Sequence, residues 1–162
     1  MNKNIILPFL FLLTILFTYS VRSQDRFSIA QTDSLRNEIN TKKGTDRIST
    51  QLELALRSMG NEGNEAQALA NSALIATKTE NNKNLEARAY YVLGRISETL
   101  GNKDFSEAYY DTALIITESS GDNWNKGEIL FRKGIIKHNS REEIHALEYF
   151  NASLQASRLS NN

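Results

Sequence analysis

Cysteine is missing from the 162-residue chain. That excludes disulfides, thiol catalysis, cysteine-ligated zinc and a lipid-modified N-terminal cysteine. Proline is nearly missing: the single one is Pro8, so from Gln24 onward nothing forbids long helices. Neither sign of charge is in excess. The 19 basic and 19 acidic residues cancel, which removes the electrostatic case for a nucleic-acid partner. Motifs for chemistry are missing as well: there is no glycine-rich phosphate loop, no HExxH pair and no nucleophile elbow. The expectation is a protein without catalytic activity, small-molecule cofactor or metal. What is present is apolar residue, 40% of the chain, enough to bury a core in one compact domain.

Residues 1–23 differ from the rest. They open with Lys3, run apolar from Ile5 to Phe17 and end at Val21-Arg22-Ser23, with small or branched residues one and three positions before a cut. This is the layout of a secretory signal peptide, and the run is shorter than the ~20 residues a membrane span needs. Cleavage removes Lys3 and Arg22 and no acid, leaving 17 basic and 19 acidic residues. The expected location is the periplasm or the extracellular space, with membrane association only through an uncleaved signal or a further downstream segment. Residues 24–44 then make an N-terminal segment with a short helix near 30–41.

From residue 45 the chain repeats itself. Slid by 40 residues, EAQALANSALIATKTENN (65–82) falls on FSEAYYDTALIITESSGD (105–122), and that on HALEYFNASLQASRLSNN (145–162), without a gap. Ala66, Ser106 and Ala146 share a column, as do Ala70, Tyr110 and Phe150, Ala73, Ala113 and Ser153, and Leu74, Leu114 and Leu154. Upstream, Leu54, Gly94 and Gly134 share another. Three units follow, at about 47–86, 87–126 and 127–162.

Each unit reads as two helices. In the second, Ala89, Leu93, Ile96 and Leu100 form one apolar stripe at helical spacing, Gly101-Asn102-Lys103 breaks it, and Phe105, Tyr109, Ala113 and Ile116 form another. The β-branched TALIIT at 112–117 is therefore helix, since packing overrides the few tenths of a kcal/mol each such residue costs. Ser140 to Glu143 reads as a capping box before the last helix. Gly94 and Gly134, with Ala66, Ser106 and Ala146 from the other side, permit close helix approach. Tyr110 and Phe150 fill the space between units.

This pattern resembles the tetratricopeptide repeat. Leu93-Gly94, Gly101, Ser106, Tyr110 and Ala113 match that motif. The third unit matches with Gly134, Ala146 and Phe150, but has Lys133 before the glycine and no turn glycine. In the first, Leu54 replaces the glycine and Ala70 the aromatic, while Ala66, Ala73 and Leu74 fit. The period of 40 exceeds the family's 34. The resemblance covers residues 45–160 and implies an all-α, right-handed solenoid of about three helix-turn-helix repeats. A looser resemblance is to the extracytoplasmic repeat region of Bacteroidetes-type membrane histidine kinases and helix-turn-helix regulators. It implies an alternative, the sensor fragment of a larger receptor.

His138 and His145 lack further metal ligands and read as two solvated or partly packed histidines. Neither is followed by the acid and proline expected of a kinase phosphoacceptor. Glu142 and Glu143 do not face each other, and both suit a helix N-terminus. Trp124 is expected in the linker between units two and three, plugging the joint. In the resembled family the first helices line a concave groove. That places Arg88, Tyr91, Arg95 and Glu98 from one unit, and Glu128, Phe131, Arg132 and Ile135 from the next, on a partner-binding face. Aromatics beside arginines suit recognition, and arginine grips carboxylates through two hydrogen bonds. The expected function is to bind a protein or peptide. Self-assembly of open-ended repeats is a further alternative.

Overall fold

The computed structural model describes residues 30–160. Among them are seven helices and no strand, so the protein is all-α. The expected signal peptide lies outside the described residues. Helix α1 covers residues 30–41. It is followed by α2 (Gly44–Ser58), α3 (Gly63–Thr79), α4 (Lys83–Thr99), α5 (Lys103–Ser120), α6 (Asn123–Asn139) and α7 (Glu143–Ser160). Helices α3, α5 and α7 begin 40 residues apart. Helices α4 and α6 begin at Lys83 and Asn123, a few residues ahead of the unit boundaries at 87 and 127.

The helices pair as α2 with α3, α4 with α5 and α6 with α7. Each pair joins the next in two ways. Its second helix packs on the following first helix (α3 on α4, α5 on α6), and successive first helices touch (α2 on α4, α4 on α6). Among the described residues, α3, α5 and α7 do not pack on one another. The core runs along this line of first helices, through Ile48, Leu52, Val92, Leu93, Ile96 and Ile129, and is closed by Ala70, Ala73, Tyr110 and Ala113 of the second helices. The glycines set the closest approaches. Gly94 lies under the ring of Tyr110 and Gly134 under that of Phe150. Gly127 does the same for the last pair, where a β-carbon would stand 2.9 Å from Ser157 Oγ and where Ser153 Oγ donates to the Gly127 carbonyl at 2.8 Å.

Local chemistry sets the ends. Asn82 and Asp122 occupy equivalent N-cap positions of α4 and α6, and each side chain accepts from the backbone N–H three residues on at 3.0 Å. At the turn closing α4, Gly101 is left-handed, φ 76°, and the Asn102 N–H reaches back to the Ser97 carbonyl at 2.8 Å. At the turn closing α6, Arg141 holds the same conformation, φ 61°, and Glu142 N–H reaches Lys137 at 2.9 Å. The missing turn glycine changed the residue and left the turn unchanged.

Four expectations are corrected here. Tyr110 and Phe150 do not fill the space between units: each ring lies against the glycine of its own pair, Gly94 and Gly134. The buried stripe of α5 shares only Ala113 with the expected one: Ser106, Tyr110 and Thr117 are buried with it, while Tyr109 and Ile116 are half-buried and Phe105 is 66% exposed. The stripe that faces α4 is the buried one: Gly94 leaves room for the Tyr110 ring, and Ser106, Ala113 and Thr117 are small. Ser140 does not cap α7. Its hydroxyl donates to the Ile136 carbonyl at 2.9 Å and so closes α6, and Glu142 is the residue whose carbonyl receives the first α7 bond. Trp124 is in the first turn of α6 and 55% exposed, so it plugs no joint. Asn125 and Gly127 are the buried residues there.

Candidate functional site

Helices α4 and α6 run in the same direction along their contact: Asn84 meets Asn125, and further along Tyr91 meets Glu128. Tyr91 is the hub of this face. Its ring is buried and lies 6.1 Å from that of Tyr110. Its hydroxyl accepts from Arg95 Nη1 at 3.1 Å and points to Glu128 Oε2 at 3.4 Å. The Arg95 guanidinium also sits over the Tyr91 ring, 5.9 Å from its centre. Arg132 follows Glu128 by one helical turn, as Arg95 follows Tyr91. The two arginines therefore flank the α4–α6 junction.

These arginines differ from the other half-buried ones. Arg36 meets Asp33, Glu62 and Glu65, and Arg88 lies 3.6 Å from Glu53 of α2. Among the described residues Arg95 bonds only to a phenol, that of Tyr91. Arg132 has no ion pair among the described residues, and its Nε is buried without a hydrogen-bond partner. A buried unpaired donor is costly, more so when charged. Phe131 completes the face. It is 45% exposed, with its ring 5.6 Å from that of Phe150.

The eight expected residues are thus not one continuous stripe. Tyr91, Arg95 and Glu128 are brought into contact, with Arg132 and Phe131 beside them. Arg88 is tied to α2. Ile135 is half-buried. Glu98 turns into its own helix pair, where it accepts from the Tyr110 hydroxyl at 2.9 Å. Burial pushes the Tyr110 phenol well above its ordinary value, and the Glu98 carboxylate adds to the shift. The phenol is therefore a donor at any working pH.

Periodicity could not reveal one polar group, Lys133. It occupies the column of buried Leu93, and only its motif mismatch singled it out. It is buried, bonds to Asp111 of α5 and lies 5.2 Å from the centre of the Tyr149 ring. It joins three helices. Beside it, a hollow of about 480 Å³ lies between α6 and α7, lined by Leu130, Lys137, His145 and Tyr149 among others. None of the expected face residues reaches it. His138 and His145 are both exposed and each pairs with a neighbouring glutamate, Glu143 at 3.0 Å and Glu142 at 3.3 Å. No group of three or more candidate metal ligands occurs among the described residues. None of the described helices is long and apolar enough to cross a membrane.

Compared with known proteins, the chain matches no family model, and no curated protein matches it in sequence.

Proposed function

We propose that this chain is an exported, non-catalytic binding protein of tetratricopeptide-like build, a right-handed solenoid of three helix pairs. It takes an acidic segment of a protein or peptide on the face formed by α4 and α6. The observation that carries this reading is the pair of arginines, Arg95 and Arg132, that have no carboxylate partner among the described residues and sit one on each helix, a turn beyond the part-buried Tyr91–Glu128 contact. Tyr91 and Glu128 hold the two helices in register. The arginines supply the charge, and Phe131 supplies an apolar rim. Charge-assisted bonds to a carboxylate contribute about 1.5–3 kcal/mol each.

The test is fluorescence polarisation with labelled peptides that carry acidic side chains and a free C-terminus, against amidated and neutralised versions. The acidic peptides bind, and Arg95→Glu or Arg132→Glu, with helicity retained, weakens binding by about tenfold or more. Equal binding by the wild type and both variants rejects the site. Export is checked separately, by fractionating the native cells and locating the chain with an antibody to residues 45–160.

A further inference from the structure

Helix α5 offers α6 a stripe of four residues, Glu107, Asp111, Leu114 and Glu118. Three of them meet lysines of α6: Glu107 lies 4.0 Å from Lys137, Asp111 pairs with Lys133, and Glu118 lies 3.4 Å from Lys126. Leu114 packs against the core. Forty residues on, the same columns of α7 hold Leu147, Asn151, Leu154 and Arg158. Nothing among the described residues covers them. Leu147 is 60% exposed, Leu154 51%, and Ile144, one turn before Leu147, 77%. Arg158 has no ion pair among the described residues.

This stripe has no cover among the described residues, and its chemistry differs from that on α5. The three acids that receive lysines on α5 are replaced by leucine, asparagine and arginine. A helix of the α6 type, with its row of lysines, would find no acid to meet and one like charge. The matching surface is an apolar stripe with an acid at one end, and α7 is itself such a surface. Glu143 precedes Leu147 by four residues, and Arg158 follows Leu154 by four. Antiparallel pairing that lays Leu147 on Leu154 of a second copy therefore also lays Glu143 beside Arg158 of that copy, twice by symmetry. The present partner of Glu143 is His138, and both side chains are well exposed, so that pair is weakly held and easily exchanged.

We infer that two copies of this chain associate through antiparallel α7 helices about a two-fold axis near Phe150 and Asn151. A contact of one helix pair falls below about 1,200 Å², the range of weak and transient complexes. The dimer therefore forms at concentrations on the order of micromolar. It closes on itself, unlike end-to-end stacking of repeats.

The experiment is light scattering on the size-fractionated chain without residues 1–23, the form that the proposed export leaves, across the micromolar range. The wild type is expected to rise from its monomer mass towards twice that value. Glu143→Arg and Arg158→Glu, both at exposed positions, each remain monomeric, and an equimolar mixture of the two restores the dimer. Circular dichroism confirms that both keep their helix. A wild type that stays monomeric throughout overturns the inference. So does a dimer indifferent to both charge reversals, or an assembly that grows beyond two copies.

Discussion

Gly94 in α4 lies directly against the ring of Tyr110 in α5: a β-carbon at position 94 would stand 2.5 Å from Tyr110 Cε1. Gly134 repeats the relationship with Phe150, again at 2.5 Å. In both pairs the glycine and the ring are 16 residues apart. The first pair of helices reverses the sizes, with Leu54 and Ala70 at the same two columns, both fully buried. What is held constant is the volume between the two helices rather than the residue at either position.

Adding a methyl at these glycines therefore costs stability, although alanine is the better helix former by about 1 kcal/mol. Tyr110 is fully buried and cannot withdraw, so Gly94→Ala lowers unfolding free energy by about 1–2 kcal/mol net of propensity. Phe150 is only half-buried, so Gly134→Ala costs less. Urea denaturation of the two variants measures both. An increase in stability at Gly94→Ala would show that the helices separate freely.

Arg141 gives a prediction of the opposite sign. It holds φ 61° in a turn whose counterpart uses Gly101 at φ 76°. A side chain in that region costs about 1 kcal/mol or more, and glycine does not bear the cost. Arg141→Gly should raise the stability by about 1 kcal/mol, seen as a higher midpoint with an unchanged denaturant slope.

Lys133 makes stability sensitive to strong alkali. Burial lowers its pKa, but the hydrogen bond and charge of Asp111, together with Tyr149, outweigh burial and hold it above its ordinary 10.5. A raised pKa means that the contribution is fully present below pH 10.5 and is lost as pH rises through the folded-state value. Asp111 is largely exposed, so Asp111→Asn costs about 1 kcal/mol at neutral pH rather than the larger sum for a fully buried pair. Melting temperatures of the wild type and Asp111→Asn should converge as pH rises past 10.5 and through the raised folded-state value, where the ammonium discharges. A constant gap at every pH would place the cost elsewhere.

Arg36 fastens α1 to the start of α3. It bonds to Glu65 at 3.2 Å and also pairs with Glu62. The Arg36 hydrogen bond holds the Glu65 carboxyl below its ordinary 4.5. The contribution is then present above pH 4.5 and is lost as pH falls through the lowered value. These groups are exposed, so global stability changes little. The effect is local: Arg36→Ala speeds hydrogen exchange in residues 30–41 at neutral pH, and acid does the same to the wild type. Unchanged exchange in the variant would mean that apolar contacts hold α1.

Much of this architecture is legible in the sequence. The spacing of Ala89, Leu93 and Ile96 requires a helix, because only that period puts them on one face. The ungapped 40-residue echo indicates three equivalent pairs, and the alternation of glycine and aromatic at 94 and 110 marks where helices touch. Side-chain size and period are local properties, readable without coordinates. The candidate binding face was legible only as a list. Which of its residues meet depends on helix contacts: Tyr110 of α5 draws Glu98 inward, and Arg132 is left without an ion pair among the described residues.

What the tertiary structure alone decided is how each helix divides its surface among several neighbours. Hydropathy favours Phe105 over Ser106, yet Ser106 is buried because α4 comes too close for a ring. Lys133 is polar and buried because Asp111 and Tyr149, 22 and 16 residues away, converge on it. Ser140 faces the helix before it, although its spacing suits the helix after it. Period and composition come from the chain one residue at a time. Partners are set by helix crossings, which bring distant residues together, and no single stretch of sequence contains them.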